Sequence, residues 1–287
     1  NTMKQIITVF GATGECQGGS ETKALIEDGT FCVRAVTRDT CKPAGKKLKE
    51  AGAEVVAADM DNKESLEAAL SQAYGAFVVT NFWEHLSKDK EITQLVFQGK
   101  QVADMSKNLG LKHVIFSGEE NVKKLTGGKL EVLNCDGKGE VEEFFREIGV
   151  PMTSVRIPFY FKNFLTSKPQ KSKDGKTYDL GEPVIHMHIL QYIGPIVLGI
   201  FKSPSDYIGK DIGLSAEKLT VEHYAAIMCK FTGKTIRVAK VRHLHSGPSD
   251  LYEGMIYRDP ELTHKLNPKT KLFQQWFEEN KDAYKDF

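Results

Sequence analysis

Ile6-Ile7-Thr8-Val9-Phe10-Gly11-Ala12-Thr13-Gly14-Glu15-Cys16-Gln17-Gly18-Gly19 opens with an apolar, β-branched run as long as one buried strand and ends in closely spaced glycines. A helical stretch, Ser20 to Asp28, follows, and a second strand, Cys32 to Val36, ends at Thr37-Arg38. Strand, glycine turn, helix and strand form a βαβ unit. Glycines let the backbone turn tightly and approach a diphosphate, whose charge is met by N–H groups and the helix dipole. Many tight turns use glycines, so it is their place between a strand and a helix that points to a dinucleotide.

The end of the second strand refines this. An NAD-binding unit carries Asp or Glu there, about 20 residues beyond the glycines, to hold the ribose hydroxyls. Here the position holds Arg38, with Lys42, Lys46 and Lys47 soon after. A guanidinium either solvates the strand end or pairs bidentately with a 2′-phosphate. The glycine turn before it favours the phosphate and therefore NADP(H).

Beyond Arg38 the alternation continues. Helices are expected over Pro43 to Gly52, Lys63 to Ala73 (capped by Asn62), Asp89 to Leu109 and Asp136 to Ile148. Strands are expected over Ala53 to Ala58, Ala76 to Val79, His113 to Phe116 and Met152 to Arg156. Short apolar strands alternating with helices predict an α/β fold, a Rossmann-type doubly wound parallel sheet. Ligands bind such sheets outside the carboxyl ends of the strands. The positions to inspect are Gly11 to Gly18, Arg38, Asp59-Met60, Thr80-Asn81-Phe82, Ser117-Gly118 and Arg156-Ile157-Pro158-Phe159.

After Pro158 the pattern loosens into a short apolar helix over Gln191 to Phe201 and a strand over Ile208 to Leu214. A helix capped by Thr220 and an amphipathic helix over Leu272 to Tyr284 complete it. The expected division is a nucleotide-binding domain over 1–158 and a smaller C-terminal α+β lobe over 159–287. The lobe is expected to close the cleft as part of one compact unit.

The 287 residues carry a net charge of +1 with no long basic patch, which argues against nucleic acid or a membrane surface as a partner. No apolar run reaches the length of about 18 residues that a membrane span requires, and no signal peptide is read at the start. Five scattered cysteines without CxxC spacing suit a reducing, cytoplasmic setting. The close pairs His186/His188 and His243/His245 lack a third ligand at useful spacing, so no metal is expected.

Short-chain reductases place a Tyr-x-x-x-Lys pair on the helix after strand five, where the lysine lowers the tyrosine pKa and the tyrosine donates the proton. Asn134-Cys135-Asp136-Gly137-Lys138 keeps the lysine but has Asn134 four residues earlier, and Asn has no proton of useful pKa. Either Lys138 transfers the proton alone or the site binds cofactor without turnover. Cys16, in the turn before a helix, reads either as a bland loop residue or as an oxidisable thiolate favoured by the dipole.

Val9 to Gly14, Thr37-Arg38, Thr80 to Glu84, Asp136 to Phe145 and Gly149 to Pro158 together resemble the NmrA-like family. Asn163-Phe164, Ile212 to Ser215 and Leu266 to Lys269 carry the likeness toward the C-terminus. The resemblance implies an atypical short-chain dehydrogenase fold that serves as an NADP(H) redox sensor and regulatory protein. It implies self-association as a homodimer that responds to the NADPH/NADP⁺ balance. It also implies a place in the cytoplasm and nucleus, with argininosuccinate synthase and components of NF-κB signalling as partners. Matched motif by motif, Gly11, Thr13, Gly14, Gln17 and Gly18 would meet the diphosphate and Arg38 the 2′-phosphate. Asp59 and Met60 would flank the adenine, and Thr80, Asn81 and Phe82 would line the ribose side. Asn134, Lys138, Arg156, Ile157, Pro158 and Phe159 would lie nearer the nicotinamide. Isoflavone-reductase-like relatives place a catalytic lysine at the position of Lys138, which keeps an NADPH-dependent reductase as the alternative. The family turn reads Gly-x-x-Gly-x-x-Gly, whereas Gly14-Glu15-Cys16-Gln17-Gly18 holds one extra residue. That residue must bulge or re-register the helix start, and Glu15 brings negative charge toward the phosphate.

Overall fold

A computed structural model describes residues 3–15, 17–80, 91–157, 159–180, 186–190, 192–238 and 255–285. The first elements are β1 (Ile6–Val9), α1 (Gly19–Asp28), β2 (Cys32–Thr37), α2 (Pro43–Glu50), β3 (Glu54–Ala57) and α3 (Lys63–Leu70). They are followed by β4 (Gly75–Val78), α4 (Glu91–Asn108), β5 (His113–Gly118), α5 (Val122–Leu125), α6 (Leu133–Glu147) and β6 (Met152–Arg156). Asn62 caps α3 as its sequence position predicts, its side chain accepting from the Ser65 N–H at 2.7 Å.

The strands lie in the order β3-β2-β1-β4-β5-β6, with the strand Asp211–Gly213 outside β6. Pairing is parallel from β3 through to β6. The order reverses between β1 and β4, so the crevice where such sheets hold ligands opens beside the glycine turn. This is the doubly wound sheet the alternation predicts.

Strand side chains alternate between two buried layers. Ala76, Val78, Val114, Phe116 and Met152 join Leu66, Leu70, Val102, Val141 and Phe145 from α3, α4 and α6 in one core. Ile7, Val9, Ala35, Phe77 and Ile115, at the intervening positions, are also buried. Near-continuous apolar strands are what a sheet covered on both faces requires. The second cover includes the helix Gly194–Lys202, whose Phe201 ring meets His113 edge-on at 5.4 Å. The backbone of Gly194 lies so close to Ser20 of α1 that a Cβ there would collide with the Ser20 carbonyl.

This packing corrects the expected division at residue 158. The chain forms two compact units, 1–156 with 192–212, and 157–191 with 213–287. The segment Tyr192–Ile212 returns to the first unit because its helix buries Ile196, Val197, Ile200 and Phe201 in the assembly with α1.

Among the described residues, the second unit holds two three-stranded sheets. In one, His186–Leu190 lies between Glu217–Thr220 and Phe159–Tyr160. In the other, Tyr178–Leu180 lies between Ile236–Val238 and Gln170–Lys171. The α+β lobe is therefore present, and most of its short strands were not expected from the sequence. Thr220 caps the helix Val221–Thr232 through a capping box with His223. The expected terminal amphipathic helix runs over Phe273–Asn280 and packs Phe273 and Trp276 among Phe161, Phe164 and Tyr224, with Phe277 against Phe273 and Tyr284. Tyr284, in the 3₁₀ turn that follows, donates from its hydroxyl to the Phe164 carbonyl at 2.6 Å.

Candidate functional site

The glycine turn closes on itself. The Gly14 N–H donates to the Gly11 carbonyl at 2.8 Å, and the Gly19 N–H donates to the carbonyls of Gly14 at 3.0 Å and Gln17 at 2.9 Å. Gly11 and Gly18 have φ of +66° and +73°, which favours glycine, and a Cβ at Gly18 would strike the Gly11 carbonyl. A Cβ at Gly19 would strike the Gly14 carbonyl in the same way. Gly18 is the N-cap and α1 begins at Gly19. Cys16 itself lies outside the described residues. Thr13, Gly14 and Glu15 are exposed on the open side of the turn, while Gly18 is buried beneath it.

Two buried oxygens beside this turn have no hydrogen-bond partner among the described residues: Gln17 Oε1 and Thr80 Oγ1. Thr80 follows β4, and Gly11 packs against the neighbouring Val79 side chain. Buried polar groups ordinarily find partners. The Thr80 hydroxyl can donate to a phosphate oxygen and Gln17 Oε1 can accept from a ribose hydroxyl, which fits a dinucleotide beside this turn.

The remaining strand ends line up in sheet order. Arg38 is exposed at the end of β2, where the Asp39 side chain accepts from the Cys41 N–H at 2.9 Å and turns the chain into the basic helix α2. Beyond β3, Asp59 is exposed and accepts from the Asp61 N–H at 3.0 Å. Met60 is half-buried, and its carbonyl accepts from Gln101 Nε2 of α4 at 2.8 Å. Asn81, Phe82 and Pro158 lie outside the described residues.

At the end of β5, Lys138 Nζ of α6 donates to the buried Ser117 hydroxyl at 3.2 Å. Burial pushes the Lys138 ammonium below the usual lysine range, with the Glu119 carboxylate opposing that shift. Asn134 is one helical turn earlier on the same face. The Asp136-Gly137-Lys138-Gly139 motif is what holds Lys138 here. Asp136 accepts from the N–H groups of Lys123 and Val132, both at 2.8 Å, and the lack of a Cβ at Gly139 lets α6 press against Asn121. Cys135 is an inert thiol, pushed up to about 12 chiefly by burial.

Arg156 is held by carboxylates at the end of β6. Its Nε and Nη2 donate to Glu142 at 3.2 and 2.8 Å, and Nη2 reaches Asp211 at 3.1 Å. Glu120 is 3.6 Å from Nη1. Glu142 is almost fully buried and also accepts from Ser154 and Arg146. A carboxylate at that depth demands compensation, and Arg156 supplies it. Burial works against the arginine charge, yet Glu142 holds its pKa above the ordinary range. Gly118 belongs to the same arrangement, because a Cβ there would collide with Glu142 and Ser154. Ile157 is buried at the start of the second unit, and Phe159 lies on the strand Phe159–Tyr160, which pairs with His186–Leu190.

Sequence reasoning missed Glu21. It is fully buried in the first turn of α1, and neither carboxyl oxygen has a hydrogen-bond partner among the described residues. The signal was its spacing of four from Leu25, which places both on the core-facing side.

Fold and turn together define a Rossmann-type α/β protein with a glycine turn at its switch point. The chain belongs to the NmrA-like family, whose model matches residues 3–249. An NmrA-like family domain-containing oxidoreductase, FrzB of Cladobotryum sp, is 31% identical over 259 residues, covering 83% of this chain and 77% of the relative. The negative transcriptional regulator NmrA, solved in complex with NADP, superposes with a TM-score of 0.78 at 20% identity, covering 99% and 98% of the two chains. The NADPH-dependent quinone oxidoreductase QOR2 of Escherichia coli, solved with NADPH, gives a TM-score of 0.74 at 18% identity, covering 96% and 99%. Among the described residues, no helix is long and apolar enough to cross a membrane.

Proposed function

We propose that the chain binds NADP(H) at the carboxyl ends of β1, β2 and β4 and acts as a regulatory protein that reports the NADPH/NADP⁺ balance to protein partners. The observation that carries the cofactor is the glycine turn with the buried, unpartnered Gln17 Oε1 and Thr80 Oγ1 beside it. Arg38, exposed at the end of β2, supports the phosphorylated form over NAD(H). The family relationship and the NADP-bound regulator of the same fold support this reading further. Asn134 in place of the proton-donating tyrosine supports regulation over efficient turnover. Argininosuccinate synthase and components of NF-κB signalling are the partners that the family resemblance nominates, in the cytoplasm and nucleus.

One observation favours a second reading. Lys138 is held against Ser117 with its pKa lowered by burial, so it gives up a proton more readily than an exposed lysine. NADPH, when bound, supplies hydride; Lys138 Nζ would supply the proton in a reductase, a role in keeping with relatives named as oxidoreductases.

Equilibrium binding of NADPH and NADH at one salt concentration tests the cofactor. NADPH is expected to bind far more tightly, and Arg38→Ala to remove about 10- to 100-fold of that preference, the worth of charge-assisted hydrogen bonds. Equal binding of the two nucleotides by the wild type refutes the 2′-phosphate role. NADPH consumption with quinones or enones that is lost in Lys138→Ala would decide for the reductase.

A further inference from the structure

Glu21 is the third residue of α1, the position from which a glutamate side chain reaches back to the N-cap N–H. Its carboxyl does face the backbone N–H groups of Gly18 and Glu21, although neither oxygen completes a hydrogen bond of normal geometry. Burial pushes this carboxyl up to about 8, those N–H groups oppose the shift, and among the described residues no charged neighbour contributes.

The charged groups on the surrounding elements are engaged elsewhere or exposed. β1 carries none. On β2, Arg34 is bonded to Glu54 at 2.9 Å and to the carbonyls of Ala69 and Ser71. On the helix Gly194–Lys202, Lys202 is paired with Asp28 at 2.7 Å. Lys23 and Glu27 of α1 form an exposed pair at 3.8 Å. Glu15 is exposed in the turn, and Cys16 lies outside the described residues.

The Gly14 and Gly19 N–H groups are spent within the turn, so the end of α1 has few donors left for an anion. We propose that Glu21 is a built-in competitor for this helix end, so that the glycine turn accepts a dinucleotide diphosphate only while the Glu21 carboxyl is protonated. Ionised, the carboxylate places its charge on the Gly18 N–H and repels the diphosphate through a medium with little screening. Protonated, it leaves that dipole to the ligand. Nucleotide entry above the carboxyl's own pKa therefore draws one proton from solvent onto Glu21, and cofactor affinity senses pH as well as redox state. This rests on the NADP(H) reading.

The test is NADPH affinity from pH 7 to 9.5 at constant ionic strength, for the full-length wild type and Glu21→Gln. The 2′-phosphate, with a pKa of about 6, is ionised throughout this window. Wild-type affinity is expected to fall by approximately tenfold per pH unit above pH 8, and Glu21→Gln to hold its affinity level. Parallel pH profiles overturn the gate and leave the cofactor reading standing. No binding by the wild type at any pH overturns the cofactor reading, and the gate with it. Should Glu21→Gln fail to fold, calorimetry of the wild type at pH 8 in buffers of different ionisation enthalpy decides. Uptake of about half a proton per NADPH supports the gate, and no uptake overturns it.

Discussion

Replacing Glu21 with Gln should stabilise the protein, by an amount that grows with pH. The folded chain holds the Glu21 proton up to about pH 8, whereas the unfolded chain releases it around 4.5. Between those values the folded state binds more protons, so stability declines as pH rises and the loss is complete above pH 8. Each unit of the interval is worth about 1.4 kcal/mol. The full span from 4.5 to 8 thus amounts to about 5 kcal/mol. Glutamine has nearly the same shape and no proton to lose. Urea denaturation followed by far-UV circular dichroism at pH 5.5, 7 and 8.5 provides the measurement, because pH effects of other groups cancel between the two proteins. The stability difference should widen by roughly 3 kcal/mol across that series in favour of Glu21→Gln. A difference that stays constant with pH would refute the burial argument, whatever the protein binds.

Three further substitutions test the architecture. Gly18→Ala forces a Cβ onto the Gly11 carbonyl at a φ of +73°, and is expected to destabilise the fold by about 2 kcal/mol or more and to weaken NADPH binding, read by thermal melting and titration. Arg156→Met strips the buried Glu142 of its main counter-charge and should cost about 3–5 kcal/mol in urea unfolding, while Arg156→Met with Glu142→Leu should recover most of the loss; equal instability of the two variants would refute the pairing. Tyr284→Phe deletes the hydroxyl that donates to the Phe164 carbonyl and should lower stability by about 1 kcal/mol, leaving the aromatic packing intact in near-UV circular dichroism.

The sheet was legible because its information is local. The strands β1, β4 and β5 are short, nearly unbroken apolar runs, and some helix starts carry their own signal, such as Asn62 before α3. The strand ends then fix which residues share an edge, which is why the glycine turn, Arg38 and Met60 could be placed beyond β1, β2 and β3 from the sequence. Tyr192–Ile212 was misassigned for a physical reason. The apolar pattern of Gly194–Lys202 says that the helix is buried, but only the close approach of Gly194 to Ser20 says against what. The partners of Arg156 were hidden similarly. An arginine at the carboxyl end of a parallel strand looks like a ligand contact, and its actual partner, Glu142, sits on a helix whose pattern shows only charge.

The glycine turn sets where the first helix can begin. Here the carbonyls of Gly11 and Gly14 leave room for no side chain at Gly18 or Gly19, so the turn closes only where two glycines stand together. That fixes the start of α1 at Gly19 and the buried face at Thr22 and Leu25. The same constraint fixes Glu21: a helix beginning at Gly19 must carry its third residue inward, one turn before Leu25. The buried carboxyl is then a consequence of where the glycines permit the helix to begin. Its unusual protonation follows from that position, because a charge with no partner in the interior is relieved most readily by taking up a proton.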